Sequence, residues 1–155
     1  VFQARDCEDA EDRWGTVLNV VESIDSDGSW FDLPPMRQSR SSAIATVHPH
    51  AMRIVVCGGH NGFRFLDSVE TLAPGQSEWE ELEPMHQPRS AAAYTSAAGF
   101  IYVFGGRDER GPLDSAERFN LITGEWEWLE PMPYKQMQAS VVVMPGADPR
   151  AAITG

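Results

Sequence analysis

The chain has 155 residues, 42% of them apolar and 10% aromatic, with 23 acidic against 12 basic side chains and a formal net charge of −11. So acidic a chain repels a nucleic-acid backbone or an anionic membrane unless its cations are segregated on one surface. No run approaches the roughly 18 apolar residues of a membrane span, and the first residues lack a basic-then-apolar signal layout, so a soluble chain is expected. Cys7 lies in an acidic stretch and Cys57 in an apolar one. That is no disulfide framework, and a reducing, cytoplasmic setting is expected.

In chain order, Val1-Phe2-Gln3-Ala4-Arg5-Asp6 mirrors Val103-Phe104-Gly105-Gly106-Arg107-Asp108. Segment 5–17 then carries extra length, and Glu22, Trp30, Pro35-Met36 and Arg40 close a first unit, 1–40. A second unit, 41–89, contains Gly58-Gly59, Glu70, Trp79, Pro84-Met85 and Arg89. A third, 90–136, contains Gly105-Gly106, Glu117, Trp126, Pro131-Met132 and, where arginine is expected, Gln136. Residues 137–155 begin a further unit. The tryptophans recur after 49 and then 47 positions, and a period near 50 marks a repeat architecture.

The third unit shows the contents of one period. SAAAYTSAAG, residues 90–99, and FIYVF, residues 100–104, read as a hairpin turning at Ala98-Gly99. A polar loop follows, then SAERFN, residues 115–120, a turn at Thr123-Gly124, and EWEWLEPM, residues 125–132. Each unit is thus expected to form four short antiparallel strands, A to D. The distance from arginine to glycine varies, with the second unit's extra residues in VHPHAM, 47–52, so the A-to-B turn is expected at a solvated tip.

A double glycine after an apolar strand, a spaced glutamate, a tryptophan, then Pro-Met and arginine resembles the kelch repeat. FLDSVE, residues 65–70, and PLDSAERFN, residues 112–120, are similar to the kelch-like subset, whose members often carry BTB and BACK domains before the repeats. The resemblance implies an all-β fold of β-propeller blades with strand A innermost. The chain holds about three blades' worth of a ring expected to have six, or one that two copies complete together. The departures are Gln3-Ala4 for glycines, Leu72 and Ile24 where an aromatic such as Phe119 is usual, and Gln136 for arginine.

In a four-stranded meander the B-to-C and D-to-A loops share one face. The resemblance implies that this face binds partner segments, and charge agrees that it is special: it holds nine cations against seven carboxylates, while the rest of the chain holds three against sixteen. Arginine forks suit the carboxylates of a partner peptide. The candidate partner-binding residues are Arg37, Arg40, Ser41, His60, Phe63, Arg64, His86, Arg89, Ser90, Arg107, Arg110 and Lys135. For Arg40 and Arg89 a second reading is a lock between blades, through Glu70 or Glu117. Phe65 has one too, as the start of strand C beneath its loop.

No chemistry is expected. His48-Pro49-His50 is a turn on the opposite face from His60 and His86 and lacks further ligands at metal spacing. The acidic insertion ARDCEDAEDRWG, residues 4–15, lacks the turn glycine of a calcium loop, and disorder or a docked Trp14 accounts for it. Trp30, Trp79 and Trp126 are expected in the core, Trp128 on the strand face of Trp126, and Cys57 as a buried, inert thiol. No metal or cofactor is anticipated. The expected function is non-catalytic capture of a protein or peptide; the resemblance implies substrate recognition for a Cullin-3 ubiquitin ligase, contacted through a BTB domain outside this chain. The alternatives are an actin-binding cytoskeletal scaffold and, more remotely, a propeller enzyme.

Overall fold

The computed structural model describes residues 17–48, 52–144 and 150–154. The bulk of the acidic insertion, Trp14, Gln3-Ala4 and the Pro49-His50 tip lie outside the described residues. The rest is strand and connection, with no helix among the described residues.

Fourteen strands follow in order: β1 (Val21–Ile24), β2 (Trp30–Leu33), β3 (Ile44–His48), β4 (Arg53–Cys57), β5 (Val69–Leu72), β6 (Glu80–Leu82), β7 (Ala93–Ala97), β8 (Phe100–Phe104), β9 (Arg107–Asp108), β10 (Gly111–Pro112), β11 (Ala116–Asn120), β12 (Trp126–Leu129), β13 (Ser140–Met144) and β14 (Arg150–Thr154). Two complete four-stranded antiparallel sheets result, β3-β4-β5-β6 and β7-β8-β11-β12. Before them lies a pair equivalent to strands C and D, β1-β2; after them lies a pair equivalent to A and B, β13-β14. The hairpin at Ala98-Gly99 forms as expected, both residues at positive φ, 50° and 82°, the backbone of a two-residue turn matched to strand twist.

The sheets stack because successive strand residues point to opposite sides. Along β4, Val55 and Cys57 pack toward the following sheet in a cluster with Ile101, Val103, Phe119 and Trp126. Val56 and Ile54 point the other way, into a cluster with Val21, Leu72 and Trp79. On β8, Ile101 and Val103 face backward, while Phe104 and Tyr102 face forward onto Ala139 and Val141. The core therefore lies between sheets, and no sheet has one of its own.

The tryptophans fasten these interfaces. Trp79 donates its indole N–H to the Pro34 carbonyl at 2.7 Å, and Trp126 donates to Glu83 at 2.8 Å, each reaching back to the preceding unit. Trp128 shares that orientation and stacks on His86, ring centroids 5.1 Å apart.

Two expectations are corrected. Trp30 is not a core residue: it is 48% exposed, against 2% for Trp79 and 7% for Trp126, because among the described residues no preceding sheet lies against it. The polar loop of the third unit is not irregular, since β9 and β10 pair within it, Arg107 opposite Pro112. An Asp108 side chain that accepts the Arg110 N–H at 2.8 Å closes that small turn.

Candidate functional site

The repeated Leu-Asp-Ser-x-Glu explains how the face of interest is built. Each D-to-A connection lays its arginine across the glycine pair of the sheet it enters. Arg40 donates to the Gly58 carbonyl at 2.8 Å, to the Ser68 hydroxyl at 3.0 Å and to Glu70 at 2.5 Å. Arg89 repeats this on Gly105 at 2.7 Å, Ser115 at 3.2 Å and Glu117 at 2.7 Å. Each carboxylate also accepts two main-chain N–H groups from the same connection, Arg37 and Gln38 for Glu70, His86 and Gln87 for Glu117.

All four charged side chains are essentially fully buried, so Arg40 and Arg89 act as locks and cannot reach a partner. Burial lowers the Arg89 pKa, and the Glu117 carboxylate opposes that shift. Four hydrogen bonds to each carboxylate supply what a buried charge requires. The third connection departs twice: Gln136 stands for the arginine, and Pro133, with no N–H, takes the place of Arg37 and His86.

The glycine pairs are dictated by this packing. At Gly58 a Cβ would lie 2.4 Å from the Arg89 carbonyl oxygen, and at Gly105 2.4 Å from that of Gln136. Both are at positive φ, 63° and 59°. The chain leaving each sheet can therefore cross directly over the end of its B strand.

With the connections fixed, the loop face gains a cleft of about 230 Å³, lined by Ser41, Ser42, His60, Phe65, Ser90, Ala91, Arg107, Met137 and Gln138. It contains the residues just before strand A of three successive units, so it follows the inner rim of the stack. Main-chain bonds run along that rim, from the Ala91 N–H to the Ser42 carbonyl at 3.0 Å and from the Gln138 N–H to the Ala91 carbonyl at 2.8 Å. Ser42, Ala91 and Gln138 adopt positive φ of 49°, 53° and 56°, the left-handed backbone that this linkage requires.

Phe65 forms the wall. The His60 ring meets it edge-on, centroids 4.8 Å apart, and the Arg107 guanidinium lies over it at 5.6 Å. Behind Phe65 a second hollow of about 340 Å³ is lined by Gln87, Pro88, Asp108, Glu109 and Arg110.

The cleft thus brings together Ser41, His60, Ser90 and Arg107 of the expected residues, and Arg110 lines the hollow behind. Phe63 stands apart on the loop, 95% exposed, beside exposed Arg64. Asn61 orders that loop by accepting the Phe63 and Arg64 N–H groups on its side-chain oxygen at 3.0 and 2.9 Å. Arg37 pairs with Glu81 at 3.3 Å on the surface, and Lys135 is exposed. His86 stands 3.0 Å from Glu117 and under Trp128, which makes it part of the lock.

Sequence reasoning missed Phe65 as a wall and missed Ser42, Ala91, Met137 and Gln138 altogether. The available signal was their constant place one or two positions after the arginine or its glutamine substitute.

Elsewhere, the surroundings of Cys57 are apolar, and burial pushes its thiol up to about 12. His48 is half-buried against the third unit, Nε2 lying 3.3 Å from the Leu121 carbonyl. Among the described residues no group of His, Cys, Asp and Glu could hold a metal ion.

Comparison with known proteins matches this architecture. The kelch motif is recognised over residues 88–133. Kelch-like protein 40 of Mus musculus is 35% identical over 77 residues, covering 50% of this chain and 12% of that protein. Beta-scruin of Limulus polyphemus is 31% identical over 97 residues, covering 60% of this chain and 10% of that protein. The chain therefore matches only about a tenth of the length of these relatives. The solved structure of YjhT superposes with a TM-score of 0.71 at 15% identity, over 85% of this chain and 50% of that one. With its motif, its relatives and its stacked four-stranded sheets in agreement, the chain belongs to the kelch-repeat family, its sheets are blades of a β-propeller, and it is a protein-interaction module.

Proposed function

We propose that the chain captures a segment of a partner protein on its B-to-C and D-to-A loop face, without catalysis, as substrate recognition for a Cullin-3 ubiquitin ligase. The observation that carries the recognition reading is the cleft walled by His60, Phe65 and Arg107 and floored by serines. An aromatic ring and a guanidinium side by side offer an apolar anchor and a forked donor, the pairing that concentrates binding energy in protein interfaces. Carboxylates on the partner suit Arg107, with Arg64 and Arg110 placed on the loops around it. The similarity to kelch-like proteins supports the ligase assignment; the BTB contact belongs outside this chain, in the cytoplasm.

The test is affinity capture by the full-length protein compared with Phe65→Ala and Arg107→Ala variants of unchanged melting temperature. Partners lost from both variants and recovered together with Cullin-3 are the expected result. If both variants retain every partner, the cleft is not the binding site. Co-sedimentation with actin filaments that survives Arg64→Ala and Arg107→Ala would instead favour the cytoskeletal scaffold.

A further inference from the structure

The two incomplete sheets are complementary. β1-β2 has the C and D strands of a blade, with no A and B against it among the described residues; β13-β14 has A and B, with no C and D. Each also bares a face that the complete blades cover. Ile24 is 39% exposed, while its equivalents Leu72 and Phe119 are 4% and 3%. Trp30 shows the same contrast with Trp79 and Trp126, and Val142 on β13 is 60% exposed at the other end. These are the positions that form the interfaces between units 1 and 2 and between 2 and 3. The chain also superposes on half of a solved propeller-type chain, as an arc of about half a ring.

We propose that two copies of this chain close head to tail into one ring, β13-β14 of each copy joining β1-β2 of the other as a four-stranded composite blade. Edge strands with unmet N–H and C=O groups are the template for such pairing. Two equal arcs related by a two-fold axis make a closed assembly.

The register follows from the second blade, where Ile54 pairs with Leu72, Val55 with Thr71 and Val56 with Glu70 across β4 and β5. Transferred by the repeat, Ala151 of one copy meets Ile24 of the other, Ala152 meets Ser23 and Ile153 meets Glu22. Ile24 and Trp30 then pack beneath the composite blade's neighbour as Leu72 and Trp79 do within the chain.

Light scattering on the purified 155-residue chain is expected to give twice its 17.2 kDa mass. Antiparallel partners stand about 4.5–5.5 Å apart at Cα, within disulfide range. Ser23→Cys with Ala152→Cys, in a Cys7→Ser background, should therefore oxidise to a covalent dimer, while Ser23→Cys with Ala151→Cys, one position out of register, should yield far less. A monomer with an intact β circular-dichroism spectrum overturns the proposal. So does a disulfide formed within one chain, or a ladder of higher species in place of a closed pair.

Discussion

Arg89 and Glu117 meet at 2.7 Å with neither side chain exposed, and the same carboxylate holds the main chain of His86 and Gln87. Removing one partner of a buried pair strands the other, at a cost of about 3–5 kcal/mol. Glu117→Ala is expected to destabilise the fold by that amount in urea denaturation. Glu127→Ala, which breaks the exposed pair with Arg118, should cost less than about 1 kcal/mol.

Gly105 and Gly99 are both at positive φ, 59° and 82°, so alanine strains the backbone at either place. They differ in what a Cβ meets: the Gln136 carbonyl oxygen at 2.4 Å for Gly105, and open space for Gly99. Gly99→Ala should cost about 1 kcal/mol, the conformational part alone. Gly105→Ala should cost clearly more, and the difference between the two midpoints of thermal unfolding isolates the clash.

Trp126 gives its indole N–H to the Glu83 carbonyl. Phenylalanine keeps much of the packing and loses that bond, so Trp126→Phe is expected to cost about 1–3 kcal/mol, within the range for an unmet buried acceptor with some lost volume. Trp128→Phe, on a half-exposed ring, should cost less. Denaturant midpoints at constant slope check both.

Cys57 has a thiol pKa raised from 9.0 to about 12 by burial. The folded chain therefore holds the proton more tightly than the unfolded one. That contribution to stability is fully present below pH 9 and is lost as the pH rises toward 12. Unfolding free energy should fall over that window, and Cys57→Ala should remove part of the slope. In the native state, alkylation of Cys57 at neutral pH should track the unfolding rate.

Much of this was legible in sequence because a repeat writes its constraints more than once. Gly58-Gly59 and Gly105-Gly106, with Glu70 and Glu117 at one spacing, announced both period and lock, and Trp79 and Trp126 announced the interfaces. Trp30 bears the same residue type yet is half-exposed, since burial depends on what lies opposite and not on the residue itself. Phe65 was ambiguous for a similar reason: a ring at the end of a loop either packs beneath it or walls a hollow, and only the position of Arg107 from the next blade decides. The left-handed backbone of Ser42, Ala91 and Gln138 could not be read, because none is a glycine and the strain is met by bonds between successive units.

The division of labour around Glu70 and Glu117 bears on how such a surface changes over time. Each carboxylate secures a connection and a buried cation, while the tips at 61–64 and 108–111 contribute no residue to those bonds beyond Asp108, which accepts from Gln87. Inheritance can accordingly rewrite the tips, as Asn-Gly-Phe-Arg and Asp-Glu-Arg-Gly already differ within one chain, without reopening the question of how the blades hold together. Novel recognition can arise on this scaffold by drift at a few loop positions, at little cost to folding.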